Sequence, residues 1–367
     1  MRVLIVGGGV IGSATAYYLA RAGAEVTVIE RTCIACAASG KSGGFLALDW
    51  CDGSPLEQLA RRSFELHARL PEEVGGDWGY RRMEAYGGTY RRIERARDRR
   101  PNDRVKWVAD GVAVGSLIGT SETTAQVDPG RFTRGLMQAA SRKGAEVRIA
   151  RVETILREPA TGRVRGIRAD GEDMPADAVV IAMGPWTMMA AAWLPLPRVF
   201  GLKGHSLIYE TGDAVTAQAL FLEHRDAGGA SAPEIFPRAD GTTYICGISS
   251  ENPVPDDPAE VAADPGAIDR LQAIAEDVSP LLAWSPVLAR QACFRPLTRD
   301  GLPLIGAVPG VEGAYVATGH SVWGILNAPA TGEALAELIL SGKTTGVDLS
   351  PFRPDRLPVE GPASGGR

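Results

Sequence analysis

Arg2-Val3-Leu4-Ile5-Val6-Gly7-Gly8-Gly9-Val10-Ile11-Gly12, read through to Glu25-Val26-Thr27-Val28-Ile29-Glu30, is the stretch that decides the fold. Val3 to Val6 are four consecutive aliphatics, the pattern of a strand buried on both faces. The glycines break it. Ser13 to Ala22 has the pattern of an amphipathic helix that stops near Gly23. Glu25 to Glu30 is a second, β-branched strand. Strand, helix and strand in about 30 residues predict a parallel pair joined by a right-handed crossover.

Gly7, Gly9 and Gly12 make a G-x-G-x-x-G spacing, weak evidence alone and stronger in this setting. It follows a strand, opens a helix and is answered by an acid, Glu30, 18 residues after Gly12 (30 − 12). Gly7 allows the tight turn, Gly9 lets a pyrophosphate approach the backbone, and Gly12 lets the helix pack close to the strand. The helix N-terminus offers N–H groups and partial positive charge to phosphates. Glu30 would take ribose hydroxyls, which argues against a 2′-phosphate. There is no second such motif, so one dinucleotide, FAD, reduced directly by substrate, is the economical reading.

Composition narrows the partners. The chain has 367 residues, net charge −5 and 44 glycines. Glycine is thus about 12% against a usual 7%, without a collagen period. The charge gives no footprint for nucleic acid. The longest apolar stretch, Met183 to Pro197, is cut by Pro185 and Pro195 and is too short for a membrane span. No signal peptide is expected, and five cysteines do not make a disulfide framework, so the expected location is cytoplasmic. Cys33-Ile34-Ala35-Cys36 has metal or redox spacing, but without a second pair it reads as incidental small residues.

Further along, Pro55 to Leu70 reads as a helix. Residues 81–104 hold nine arginines among acids, read as a solvated face. Asp128-Pro129-Gly130 opens a helix running to about Lys143. Glu146–Ala150, Val152–Arg157 and Val164–Ala169 read as a small antiparallel set, followed by a buried strand ending at Gly184-Pro185-Trp186. Strand-like runs from 198 to 291 surround an acidic, proline-rich loop at 251–265. Tyr315–Thr318 is another strand, 330–341 a last helix, and 353–367 a disordered tail.

The chain resembles the FAD-dependent oxidoreductases related to D-amino-acid oxidase, glycine oxidase and sarcosine oxidase. The resemblance rests on Gly7 to Glu30, Ala38-Ser39-Gly40-Lys41-Ser42-Gly43-Gly44, Val127-Asp128-Pro129-Gly130, Ala182-Met183-Gly184-Pro185-Trp186 and Phe294-Arg295-Pro296-Leu297-Thr298-Arg299-Asp300-Gly301. Gly319-His320-Ser321-Val322-Trp323-Gly324-Ile325-Leu326 completes it. It implies an α/β fold (α+β overall). A Rossmann-like FAD-binding domain with a mostly parallel sheet would comprise 1–82, 129–195 and 292–352. An inserted substrate domain with a mixed or antiparallel sheet would comprise 83–128 and 196–291.

It also implies roles. Val10 and Ile11 would lie by the pyrophosphate, Glu30 and Arg31 by the adenosine, and Val152 by the adenine. Ala37, Ala38, Ser39, Ser42, Gly43 and Gly44 would line the path to the flavin. Gly184, Trp186 and the run His320 to Leu326 would complete the cofactor site. Arg295 would grip a substrate carboxylate with its planar fork; the alternative is a structural pair with Asp300. Cys293 is either a covalent partner of the flavin or a buried free thiol. His320 is either a cation near the reduced flavin or a neutral turn residue. Lys203 is an alternative cation for oxygen, and His205 a residue facing the substrate. Glu234 stands where several relatives carry a tyrosine; a carboxylate there would repel a second substrate carboxylate and attract an amine. Trp323 would narrow the pocket.

The activity so implied is oxidation of a C–N bond in a small amine or amino acid. Hydride would pass to flavin N5, the imine would leave, and O2 would become H2O2. Alternatives are a dehydrogenase feeding a quinone or carrier protein, and a non-catalytic flavin-binding assembly protein. Oligomeric state stays open.

Overall fold

The strand Arg2–Val6 lies inside a six-stranded sheet and splits its side chains between two cores. Val3 and Ile5 join one apolar cluster, Leu4 and Val6 the other, and all four are buried. This is the period of two expected of a strand covered on both faces. The computed structural model describes residues 1–92 and 102–359. Strand order across the sheet is Leu304–Ala307, Ala314–Thr318, Ala178–Ile181, Arg2–Val6, Glu25–Glu30, Glu146–Ile149. Every neighbouring pair is parallel except the first, which is antiparallel. The sheet therefore draws strands from both ends of the chain, and the fold is Rossmann-like.

Glu146–Ile149 corrects the sequence reading. It pairs in parallel with Glu25–Glu30 instead of joining the antiparallel set. That set is Val152–Arg157, Val164–Ala169 and Glu172–Pro175, a three-stranded sheet on the second core. The turn at Arg151, where Asp170 Oδ1 accepts from its N–H at 3.1 Å, separates the two.

The helices Val10–Arg21, Pro129–Ser141, Glu57–Val74 and Gly324–Ser341 cover the first face. Their contact is close because glycine permits it. A Cβ on Gly12 would sit 2.0 Å from the Gly7 carbonyl oxygen, and one on Gly332 would sit 2.6 Å from the Ala14 carbonyl carbon. Asp128 caps the helix it precedes, accepting from Arg131 N–H at 2.6 Å.

A second, mixed sheet has the order Val287–Leu297, Phe200–Glu210, Thr242–Ser250, Glu234–Pro237, Gln218–Asp226, Glu84–Tyr90, Val112–Gly119, with Gly229–Ser231 added beside Gln218–Asp226. Its helix Pro265–Val278 buries Ile268, Leu271, Ile274, Ala275 and Val278 against one face. The other face looks toward the glycine-rich end of the first sheet.

Two further expectations change. The tail begins ordered: Pro354 is buried, and Arg356 pairs with Asp300 at 2.8 Å. Residues 360–367 of that expected tail lie outside the described residues. The arginine-rich stretch is partly structural, since Arg82 lies 4.6 Å over the Phe64 ring and Arg81 donates to the Pro237 carbonyl at 2.5 Å. Its residues 93–101 are outside the described set. Among described residues no helix is long and apolar enough to cross a membrane.

Candidate active site

One continuous cleft runs from the C-terminal edge of the parallel sheet to the inner face of the mixed sheet. At its first end Gly7, Gly9, Val10 and Ile11 line the turn, with Glu30, Arg31 and Val152 beside them. Glu30 braces the turn as well as facing the cleft. One carboxylate oxygen accepts from Gly8 N–H at 2.7 Å, the other from Thr32 N–H at 2.9 Å. Arg31 reaches the loop 251–265, donating to Asp256 O at 2.7 Å and pairing with Asp257 at 3.0 Å. Trp186 donates from Nε1 to Pro255 O at 2.7 Å, so the same loop is tied to both walls.

The middle is built from Ala37, Ala38, Ser39, Ser42, Gly43 and Gly44. Ser39 Oγ accepts from Val10 N–H at 2.9 Å, joining this loop to the helix start. Gly44 is left-handed at φ 77°, and a Cβ on it would meet Val127 O at 2.0 Å. The mixed sheet also holds the loop: Arg238 donates to Ser42 O at 3.0 Å and Gln291 to Lys41 O at 3.2 Å. Gly184, Trp186, and the run His320 to Ile325 line the far side; Gly319 and Leu326, expected with them, adjoin that run in the chain but do not line the cleft. Gly12 likewise supports the turn from behind.

Cys33 and Cys36, read as incidental, are joined by a disulfide on this wall. Their Cα atoms are 5.5 Å apart, and Ala35 between them adopts φ 65°. Ala35 N–H donates to Gly8 O at 3.1 Å, fastening the bridged turn to the glycine loop.

Arg295, Glu234, Cys246 and Cys293 meet at the other end. Arg295 donates to Ser249 Oγ at 3.3 Å and is not paired with Asp300, whose carboxylate is taken by Arg356. Burial pushes the Glu234 carboxyl above its usual range, with the nearby Arg295 charge pulling it back. Burial also raises the Cys293 thiol, against the opposing pull of Arg295 and Lys41.

Two proposed cations are not available as such. His320 is fully enclosed, its Nε2 3.1 Å from Thr331 Oγ1, and burial without an anionic partner pushes its pKa down to about 3. It is neutral. Lys203 does not line the cleft; it pairs with Asp264 at 2.5 Å. His205 does line it, with Nε2 3.1 Å from the same Asp264. His67 places Nε2 2.9 Å from Ile325 O and so steadies the turn beside the cleft.

The family profile described as FAD dependent oxidoreductase matches residues 2–338. The chain belongs to this DAO family of FAD-dependent oxidoreductases. An oxidoreductase of Schizosaccharomyces pombe, named no more specifically, is 30% identical over 96% of this chain and 97% of that protein. Glycine oxidase of Bacillus subtilis is 27% identical, covering 96% of each. The solved glycine oxidase of Geobacillus kaustophilus superposes with a TM-score of 0.79 at 26% identity, covering 96% of this chain and 98% of that one.

FAD is the cofactor of this DAO enzyme, and the cleft fits it. The cleft is long and continuous, begins at a helix N-terminus and holds a buried hydroxyl, Ser42 Oγ, with no protein partner.

Sequence reading missed the apolar part of the wall. Phe45, Trp50, Phe221, Phe236 and Tyr244 line the cleft together with the expected Trp323. Phe45 directly follows the Gly43-Gly44 pair, and that adjacency was its one available signal. The others converge only through strand pairing.

Proposed function

We propose that this flavoenzyme oxidises the C–N bond of an amine or amino acid, with O2 as the electron acceptor. The observation that carries the reading is a guanidinium, Arg295, unpaired with Asp300 and lining the same cleft as the glycine-rich turn. Its fork suits a substrate carboxylate, so the carbon bearing the amine would be held at a fixed orientation. Bound FAD supplies the hydride acceptor, at N5, and the route for electrons to O2 with release of H2O2. Gly7, Gly9, Val10, Ile11, Glu30, Arg31 and Val152 would hold its adenosine and phosphate half. Ala37 to Gly44, Gly184, Trp186 and the run His320 to Ile325 would hold the rest.

The remaining groups set polarity. Glu234 would face the amine, and a neutral His320 would add no charge beside the flavin. The aromatic wall excludes water around the reacting carbon. The division into a discontinuous FAD-binding domain and an inserted substrate domain belongs to this reading. It is supported by the two sheets flanking one cleft. A small-molecule substrate and a cytoplasmic location also belong to it.

The test is spectroscopic. The FAD-loaded protein is mixed anaerobically with a panel of amines and amino acids, then exposed to air. Loss of the oxidised flavin band, its rapid return in air and stoichiometric peroxide support the proposal. Slow return in air with fast turnover on a quinone would replace the acceptor. Bleaching by hydroxy acids and by no amine would replace the C–N bond.

A further inference from the structure

The Cys33–Cys36 bridge stands outside the chemistry assigned to the cleft. It joins residues three apart, so it closes too short a loop to restrain the unfolded chain much. Its effect is local. Among the described residues no group of three metal-ligating side chains forms, which leaves the metal reading of this spacing without support.

The bridged turn touches both loops that line the start of the FAD cleft. Ala35 N–H donates to Gly8 O at 3.1 Å. The Ile34 side chain lies over the same glycine, where a Cβ would meet Ile34 Cδ1 at 2.5 Å. On its other side the turn rests on the loop 38–44, where a Cβ on Gly40 would meet Ala35 O at 2.1 Å. That loop is itself joined to the helix start, since Ser39 Oγ accepts from Val10 N–H at 2.9 Å. The turn 33–36 is therefore a wedge between the two segments expected to carry the phosphates.

The wedge holds an unfavourable backbone. Ala35 is buried and left-handed at φ 65°, a region that a residue with a Cβ avoids. The one backbone hydrogen bond closing the turn is long, Cys36 N–H to Cys33 O at 3.3 Å. The covalent bridge keeps the ends of the turn together. It is also within reach of a reagent: Cys33 is exposed and Cys36 half-buried, so an incoming thiolate meets Cys33 Sγ first.

We propose that Cys33 and Cys36 form a reversible thiol–disulfide site, opened by a dithiol reductant, whose bridged state grips FAD and whose dithiol state loosens it. One thiolate of the reductant attacks Cys33 Sγ, the S–S bond breaks, and Cys36 leaves as a thiolate. The reductant's second thiolate attacks the mixed disulfide and releases Cys33. The reductant ends as a disulfide, having given up two electrons, and its two protons end on Cys33 and Cys36. Once opened, Ala35 relaxes toward right-handed or extended backbone, its N–H leaves Gly8, and the two loops lose their common support. The turn that fits FAD becomes a minority conformer, and the apparent affinity falls by its fraction.

The test uses holoenzyme and no substrate, so it is independent of which bond the enzyme oxidises. One sample is treated with dithiothreitol, in the dark and without air, and another with diamide, which oxidises dithiols to disulfides. Free thiols in an aliquot of each are blocked with iodoacetamide, and the peptide carrying both cysteines is weighed. It should be bridged and unlabelled after diamide and doubly labelled after dithiothreitol. Double labelling in both samples overturns the proposal.

Serial dilution, with freed FAD read by its fluorescence, then gives Kd in each state. The reduced state should bind FAD roughly 5- to 30-fold more weakly, the population factor set by one left-handed alanine. Equal Kd values overturn the proposal. Cys33→Ser combined with Cys36→Ser should show the weaker Kd under both treatments. A Kd that still follows the reagents in that variant places the response at another cysteine and overturns the assignment. Ala35→Gly keeps the bridge and removes the left-handed penalty, so its two Kd values should lie several-fold closer together than those of the wild type. An undiminished ratio overturns the turn as the link between the sulfurs and FAD.

Discussion

Arg356 grips Asp300 with two nitrogens, Nε at 2.8 Å and Nη2 at 3.1 Å, and reaches the Leu302 carbonyl at 2.7 Å. The C-terminal turn thereby neutralises the one acid that sequence proximity offered to Arg295. Their separation predicts different phenotypes. Arg295→Met should lower kcat/KM for a carboxylate-bearing substrate by roughly 10²–10³-fold, the cost of losing a charge-assisted fork in a cleft. It should change an amine lacking the carboxylate far less. Asp300→Asn should lower the melting temperature while kcat/KM stays near wild type. Equal kinetic damage from both would show that Arg295 depends on Asp300 after all.

Close backbone approach yields a second prediction. In Gly12→Ala the new methyl would meet the Gly7 carbonyl oxygen at 2.0 Å, a backbone atom that cannot rotate away. The helix must lift off the strand at the turn where phosphates would bind, so purified protein should carry little FAD. Gly332→Ala meets the Ala14 backbone at 2.6 Å and should lower the melting temperature of apo and loaded protein alike. Gly266→Ala, in the first turn of Pro265–Val278 with nothing within 4 Å, is the control. It should be neutral or stabilise by up to about 1 kcal/mol. FAD-to-protein absorbance ratios and thermal melts separate the three.

The same particulars explain what the sequence revealed. Val3 to Val6, Gly7 to Gly12 and Glu30 are local signals, because a βαβ unit is made from neighbours in the chain. Arg295 was expected in the cleft from the resemblance, and Glu234 as a departure from it; both line the cleft. The aromatic wall was not expected: Phe45, Phe221 and Tyr244 are far apart in sequence and meet only when the mixed sheet folds over the first. Glu146–Ile149 misled because a short alternating strand does not encode its partner. Lys203 misled for a related reason: its neutralising acid, Asp264, lies 61 residues away.

Acid should weaken the fold through two histidines. His67 and His320 are buried neutral, and burial lowers their pKa values from 6.5 to about 4 and about 3. Below pH 6.5 the unfolded chain takes up protons that the native chain refuses. Stability therefore rises with pH across this window and is lost as pH falls from 6.5 toward 3. Each histidine contributes a slope of up to about 1.4 kcal/mol per pH unit. Urea midpoints at pH 7, 6 and 5 should fall progressively, and His67→Gln should flatten the decline. An unchanged slope in that variant would mean that His67 is charged in the native state.

Cys293 bears on how the flavin is held. A thioether to the flavin needs the thiolate as nucleophile. Burial raises the Cys293 thiol, and the pull of Arg295 and Lys41 does not reverse it. The neutral thiol predominates at pH 7, which predicts a non-covalent cofactor. Acid precipitation of the holoenzyme should leave a colourless pellet and a yellow supernatant, with Cys293→Ala binding FAD as well as wild type. A yellow pellet that becomes colourless in Cys293→Ala would reverse the conclusion. It would mean that bound FAD, or the closing of the cleft around it, stabilises the thiolate more than burial opposes it.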